Sequence, residues 1–161
     1  MARLVRVLTL AFAGALGGVA LGFWPGSTAA QPVRLDRPQV LFLMPALDVE
    51  AQAQLREALL AQFAAIEADL TFAPVAEPQG TLAQRMAQAQ AASAKHTLLA
   101  AFWIEEQPDG RWFVHMMDLQ SERVIVRQVE AQPERRSAAI EAVAVMARES
   151  SRALIEGEPP P

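Results

Sequence analysis

The chain has 161 residues, with 18 acidic and 14 basic side chains, a formal charge of −4 and no cysteine. Without cysteine there can be no disulfide, thiolate zinc site, iron–sulfur cluster, cysteine nucleophile or lipidated cysteine. A net acidic chain with no basic cluster is also a poor candidate for nucleic acid, whose binding depends on neutralising phosphates, and it gains nothing from an anionic lipid surface.

The first thirty residues read as an export segment. Arg3 and Arg6 give a short basic start, and residues 7–24 (VLTLAFAGALGGVALGFW) carry no charge. Pro25 and Gly26 break the apolar run, and Ser27, Thr28, Ala29 and Ala30 supply small side chains. This order predicts a secretory signal cleaved after Ala29 or Ala30. The apolar run also falls inside the range of about 17–25 residues that can span a bilayer, so a retained single membrane helix is the alternative. Gly14, Gly17, Gly18 and Gly22 weaken such a helix, and no basic stop-transfer cluster follows. The expected location is therefore periplasmic or secreted, with membrane contact only through an uncleaved N-terminal segment. From Gln31 onward, 12 basic residues face 18 acidic ones, a charge of −6. A chain of that length buries roughly two thirds of its unfolded surface and needs no covalent staple.

Residues 31–38 read as a linker, with two prolines and alternating charges. Val40 to Met44 is a continuous apolar run ended by Pro45, the pattern of a strand buried on both faces. Asp48 stands at a helix N-cap with Glu50 in the first turn. Leu55, Leu59, Phe63 and Ile66 then recur at helical spacing, predicting an amphipathic helix over 49–68. Leu70 to Val75 suggests a second strand that Pro74 confines to an edge or a strand end. Thr81 and Gln84 form a capping box opening a second helix, whose narrow inner stripe is Leu82, Met86, Ala89 and Ser93.

Thr97 to Glu105 is a strand apolar on both faces, and Pro108-Asp109-Gly110 is a turn. Trp112 to Leu119 and Val124 to Val129 follow as strands around a turn at Gln120 to Arg123, making an antiparallel meander. Val124, Val126 and Gln128 share one face of the last strand; Ile125, Arg127 and Val129 share the other. Pro133 starts a last helix with Ile140, Val143, Ala147, Ser151 and Leu154 on one face, and Gly157 stops it. The expectation is one α/β domain over 39–156 in two or three layers, in the order β-α-β-α-β-β-β-α. It has a mixed sheet of about five strands, an N-terminal hydrophobic helix before it and a proline-rich disordered tail over 157–161.

This order of elements resembles the small α/β domain of several Gram-negative envelope proteins. These are the amino-terminal domain of the translocation protein TolB, the core of the curli secretion lipoprotein and the outer-membrane activators of penicillin-binding proteins. More locally, Asp118 to Arg127 (DLQSERVIVR) followed by Arg136 to Ala142 (RSAAIEA) is similar to uncharacterised exported bacterial proteins, in which the turn usually carries glycine where Glu122 stands here. The resemblance implies action by binding other envelope components, and it supplies no catalytic residue.

Candidate chemistry is sparse. Nucleophilic catalysis needs serine, histidine and carboxylate together. Ser93 lies near His96, but His115 and Asp118, three apart on a strand, point to opposite faces. His96 and His115 with Glu105, Glu106 or Asp109 show no metal-ligand spacing. Met116 and Met117, like Met44, Met86 and Met146, read as core rather than thioether ligands. No phosphate-binding glycine loop is present, and adjacent Glu105 and Glu106 face opposite ways, unlike a glycosidase pair. No residue is thus assigned to catalysis, a metal or a cofactor. Trp103 and Trp112 flank the Pro108–Gly110 turn and, if the strands close symmetrically, share a sheet face. Core packing is the simpler reading; a partly exposed aromatic platform for a protein partner, completed by His115, is the sharper one.

The leading expectation is a non-enzymatic accessory module that contacts an envelope protein or cell-wall machinery. The alternative is a small periplasmic ligand-binding domain or enzyme with a site around His115 and Glu105 or Glu106. Homodimerisation through a sheet edge is a further option.

Overall fold

A computed structural model describes residues 37–77, 80–94 and 97–161. Residues 1–36, which hold the expected export segment with Ala29 and Ala30 and most of the expected linker, and His96 lie outside the described residues.

The elements run β1 (Gln39–Met44), α1 (Val49–Phe63), β2 (Asp69–Pro74), α2 (Leu82–Ser93), β3 (Leu98–Glu106), β4 (Arg111–Asp118), β5 (Arg123–Glu130) and α3 (Arg136–Glu156). They build a mixed five-stranded sheet in the order β2-β1-β3-β4-β5, so the α/β class and the predicted element order hold. Strands β1, β2 and β3 are parallel, while β3, β4 and β5 form the antiparallel meander.

Apolar alternation decides which helix covers which face. Val40 and Phe42 of β1, Phe102 of β3 and Trp112, Val114 and Met116 of β4 pack under Leu55, Leu59, Ile140 and Val143 of α1 and α3. Leu41 and Leu43, Ala101 and Trp103, and Met117 meet Ala89 of the shorter α2 on the other face. Burial of both faces is why β1 and β3 read as unbroken apolar runs.

Caps fix where the helices start. The Asp48 carboxylate accepts from the Ala51 amide at 2.8 Å. Thr81 and Gln84 exchange reciprocal bonds as a capping box, at 3.3 and 2.6 Å. At α3, Pro133–Arg135 forms a 3₁₀ turn before the α-helix proper, and Gly157, with φ 75°, ends it in the left-handed conformation.

Two expectations are corrected. Helix α1 ends at Phe63 rather than 68, because the chain must turn back to pair Asp69 beside Gln39, and Ala65 and Ile66 already donate three residues back. The inner stripe of α2 is not led by Leu82, which is exposed. Arg85, 6% exposed, lies inward with Ala89, its guanidinium donating to the Glu77 carbonyl. The long aliphatic stem of an arginine covers apolar surface as well as a leucine does.

Glu122 occupies the β4–β5 turn with φ 56°. This is the left-handed region in which a side chain costs roughly 1 kcal/mol relative to glycine. Glu122→Gly is expected to stabilise the domain by up to about 1 kcal/mol, read as a higher urea midpoint with an unchanged m-value. A lower midpoint would show that the Glu122 side chain, 3.4 Å from Gln90 Nε2, outweighs the strain.

Candidate functional site

The meander side of the sheet carries the residues the sequence singles out. Registers of β3 with β4 and of β4 with β5 align Trp103, His115 and Val126 in one row across three strands. The indole of Trp103 and the imidazole of His115 stack with centroids 5.1 Å apart and planes 8° from parallel. Glu105, one pair further along the same face, brings Oε2 to 3.4 Å from His115 Nε2. Its Oε1 accepts from Gln107 at 3.0 Å. His115 is 5% exposed, and neither Nδ1 nor Nε2 makes a hydrogen bond among the described residues, the Glu105 carboxylate only approaching Nε2. Burial pushes its pKa below the ordinary imidazole value, and the Glu105 carboxylate offsets this only in part.

The symmetric aromatic platform does not form. Trp103 pairs with His115, whereas Trp112 pairs with Glu106, so the two indoles occupy opposite faces. They are 1% and 0% exposed. The tight turn over Gln107–Gly110 fixes this register, and residues an odd number of places out of register cannot share a face. Both tryptophans are core, and His115 contributes its stacked ring rather than an exposed edge.

Glu105 and Glu106 diverge, as strand alternation requires. Glu106 meets Arg136 Nη2 at 3.4 Å, and the same guanidinium reaches Asp48 at 3.1 Å, tying β3, α1 and α3 together. Asp118 turns away from His115 into the β4–β5 turn. It accepts from the Ser121 hydroxyl at 2.5 Å and the Gln120 amide at 2.9 Å. Partial desolvation opposes these bonds, and they prevail, holding its carboxyl below the usual range. No serine–histidine–carboxylate array and no group of three metal-competent side chains assembles among the described residues. Met116 and Met117 point into different cores.

A crevice of about 380 Å³ opens where β1 and β3 end. The chain leaves β1 for β2 on one side while β3 lies on the other, which makes this the switch point where α/β sheets commonly bind ligands. Pro45, Leu47, Leu82, Arg85, Trp103 and Glu105 are among its lining residues. Gly80 lies against the Arg85 guanidinium, and a Cβ there would stand 3.3 Å from Cζ. The sequence hid this feature because an arginine on an inner helical stripe carries no hydropathy signal.

The second feature is coverage. On the face of Trp103 and His115, Ala89 of α2 packs with β1, β3 and Met117, Val124 of β5 is partly buried against that cluster, and Val126 of β5 is 50% exposed. Among the described residues, strand β5 pairs with β4 alone and its outer edge has no strand neighbour. Compared with models of known families and with curated proteins, the sequence finds no match.

Proposed function

We propose that this chain is an exported bacterial envelope component whose α/β domain is a non-catalytic accessory module that binds another protein through the β4–β5 side of its sheet. The observation that carries this reading is the half-exposed Val126 on the edge strand β5, whose outer side has no strand neighbour among the described residues. An unpaired strand edge offers a row of hydrogen-bonding groups, and a flanking apolar side chain offers area. The element order that underlies the resemblance to the TolB amino-terminal, curli secretion and penicillin-binding-protein activator domains supports the same reading, as does the basic, apolar and small-residue order of the first thirty residues.

A photo-crosslinking side chain placed at Val126 in the exporting cell is expected to give a discrete protein adduct. The same group at Leu60, exposed on α1, should give none. Equal labelling from both positions, or none from either, would overturn the reading.

A second reading is favoured by the Glu105–His115 contact beside the crevice: a small ligand-binding domain or enzyme using that pair. Glu105→Gln keeps the shape of an exposed side chain while removing its charge. It should abolish function in this case and be nearly silent in the first.

A further inference from the structure

Almost every arginine in the described chain is already occupied. Arg111 pairs with Asp109, Arg135 with Glu130, Arg136 with Asp48 and Glu106, and Arg148 and Arg152 with Glu149. Arg56 lies over the Phe72 ring, and Arg85 donates to the Glu77 carbonyl. Within the helices and strands the exceptions are Arg123 and Arg127, both on β5. Both are exposed, with no hydrogen bond and no ion pair within 4.0 Å among the described residues. Arg123 acts on Asp118 only through its field. In a chain of net charge −4, these two guanidinium groups without a salt bridge give one face of β5 a basic character, with Asp118 the carboxylate standing opposite Arg123.

Their placement is regular. Four residues apart on a strand, they share one face of the sheet, roughly 13 Å from each other, with Ile125 between them. Val124 and Val126 alternate onto the other face. The β4–β5 pairing runs without interruption from Arg111 opposite Glu130 to Asp118 opposite Arg123, so no bulge twists this edge away. The opposite edge of the sheet, β2, is shorter and ends in Pro74, which cannot donate a ladder bond.

Resting on the reading of this side as the binding surface, we infer that β5 is extended by an acidic β-strand from a partner protein, with carboxylates opposite Arg123 and Arg127 and apolar residues opposite Val124 and Val126. Backbone bonds along the edge supply the attachment, and the two arginines select the partner by charge. A second copy of this chain is a poor occupant. Antiparallel pairing of β5 with itself about a two-fold axis keeps equivalent faces together, so four guanidinium groups would crowd one face.

The test uses the full-length chain and two extended peptide probes, one alternating glutamate with valine and one alternating lysine with valine. The glutamate probe is expected to bind at least about tenfold more tightly, with a preference that shrinks as salt is raised. Its binding should slow amide exchange along β5. The double variant Arg123→Glu, Arg127→Glu, exposed at both positions and expected to fold, should invert the preference. Equal binding of the two probes, protection on β2 instead, or concentration-dependent dimerisation blocked by Val126→Asp would each overturn the inference. So would equally tight binding of a phosphate polyanion such as a short single-stranded oligonucleotide. A discrete adduct from Val126 in the cell alongside equal probe binding would defeat the acidic-strand inference and leave the binding-module reading standing.

Discussion

Trp103→Ala is expected to lower the unfolding free energy by about 3–5 kcal/mol, and Trp112→Ala by a similar amount. Both indoles are essentially sealed from solvent, one against Leu41, Leu43 and Met117 and the other in the core that α1 and α3 cover. Domains of this kind hold only about 5–15 kcal/mol in total, so either change shifts a urea midpoint far enough to measure without a double variant. An exposed platform would predict the opposite, a cost within about 0.5 kcal/mol. The two sites also test the register. Because Trp103 pairs with His115 and Trp112 with Glu106, the indoles face away from each other across the sheet. The milder pair Trp103→Phe and Trp112→Phe should then add to within about 0.5 kcal/mol. A coupling energy well above that would mean that the rings touch, and the register would be wrong.

What the sequence made legible follows from which physical signals are local. Asp48, Thr81 with Gln84, Pro133 and Gly157 announce helix ends because a cap is a bond between near neighbours. The runs at Val40–Leu43 and Leu98–Ile104 announce central strands because two-sided burial removes alternation. The divergence of Glu105 from Glu106, and of His115 from Asp118, was readable from strand parity alone. Cross-strand facts were not. Whether Trp103 and Trp112 share a face depends on the register of the hairpin, and a one-residue difference moves an indole to the other side of the sheet. Arg85 was missed for another reason: its burial serves the Glu77 carbonyl, a partner eight residues away that no periodicity encodes. The crevice depends on the return of β3 to the side of β1 away from β2, which is a property of topology alone.

Stability is expected to fall as the solution is acidified below the ordinary imidazole pKa of about 6.5, and His115→Gln should remove much of that fall. Burial depresses the pKa of His115 in the folded state, and Glu105 recovers only part of the shift. The unfolded chain therefore takes up a proton at a pH where the folded chain does not. The stability held above the unfolded pKa is lost as pH drops through the folded one. One such proton changes the free energy by up to about 1.4 kcal/mol per pH unit. The stacked Trp103 ring makes the site sensitive, because an imidazolium there must keep the contact or leave for water. Glu105→Gln should steepen the loss, since it removes the carboxylate at 3.4 Å that favours the charged form. Urea titrations of the three proteins at successive pH values decide the matter. If the His115→Gln variant loses stability with acid as steeply as the parent, the proton is taken up elsewhere, and His115 is not the group that links this sheet face to pH.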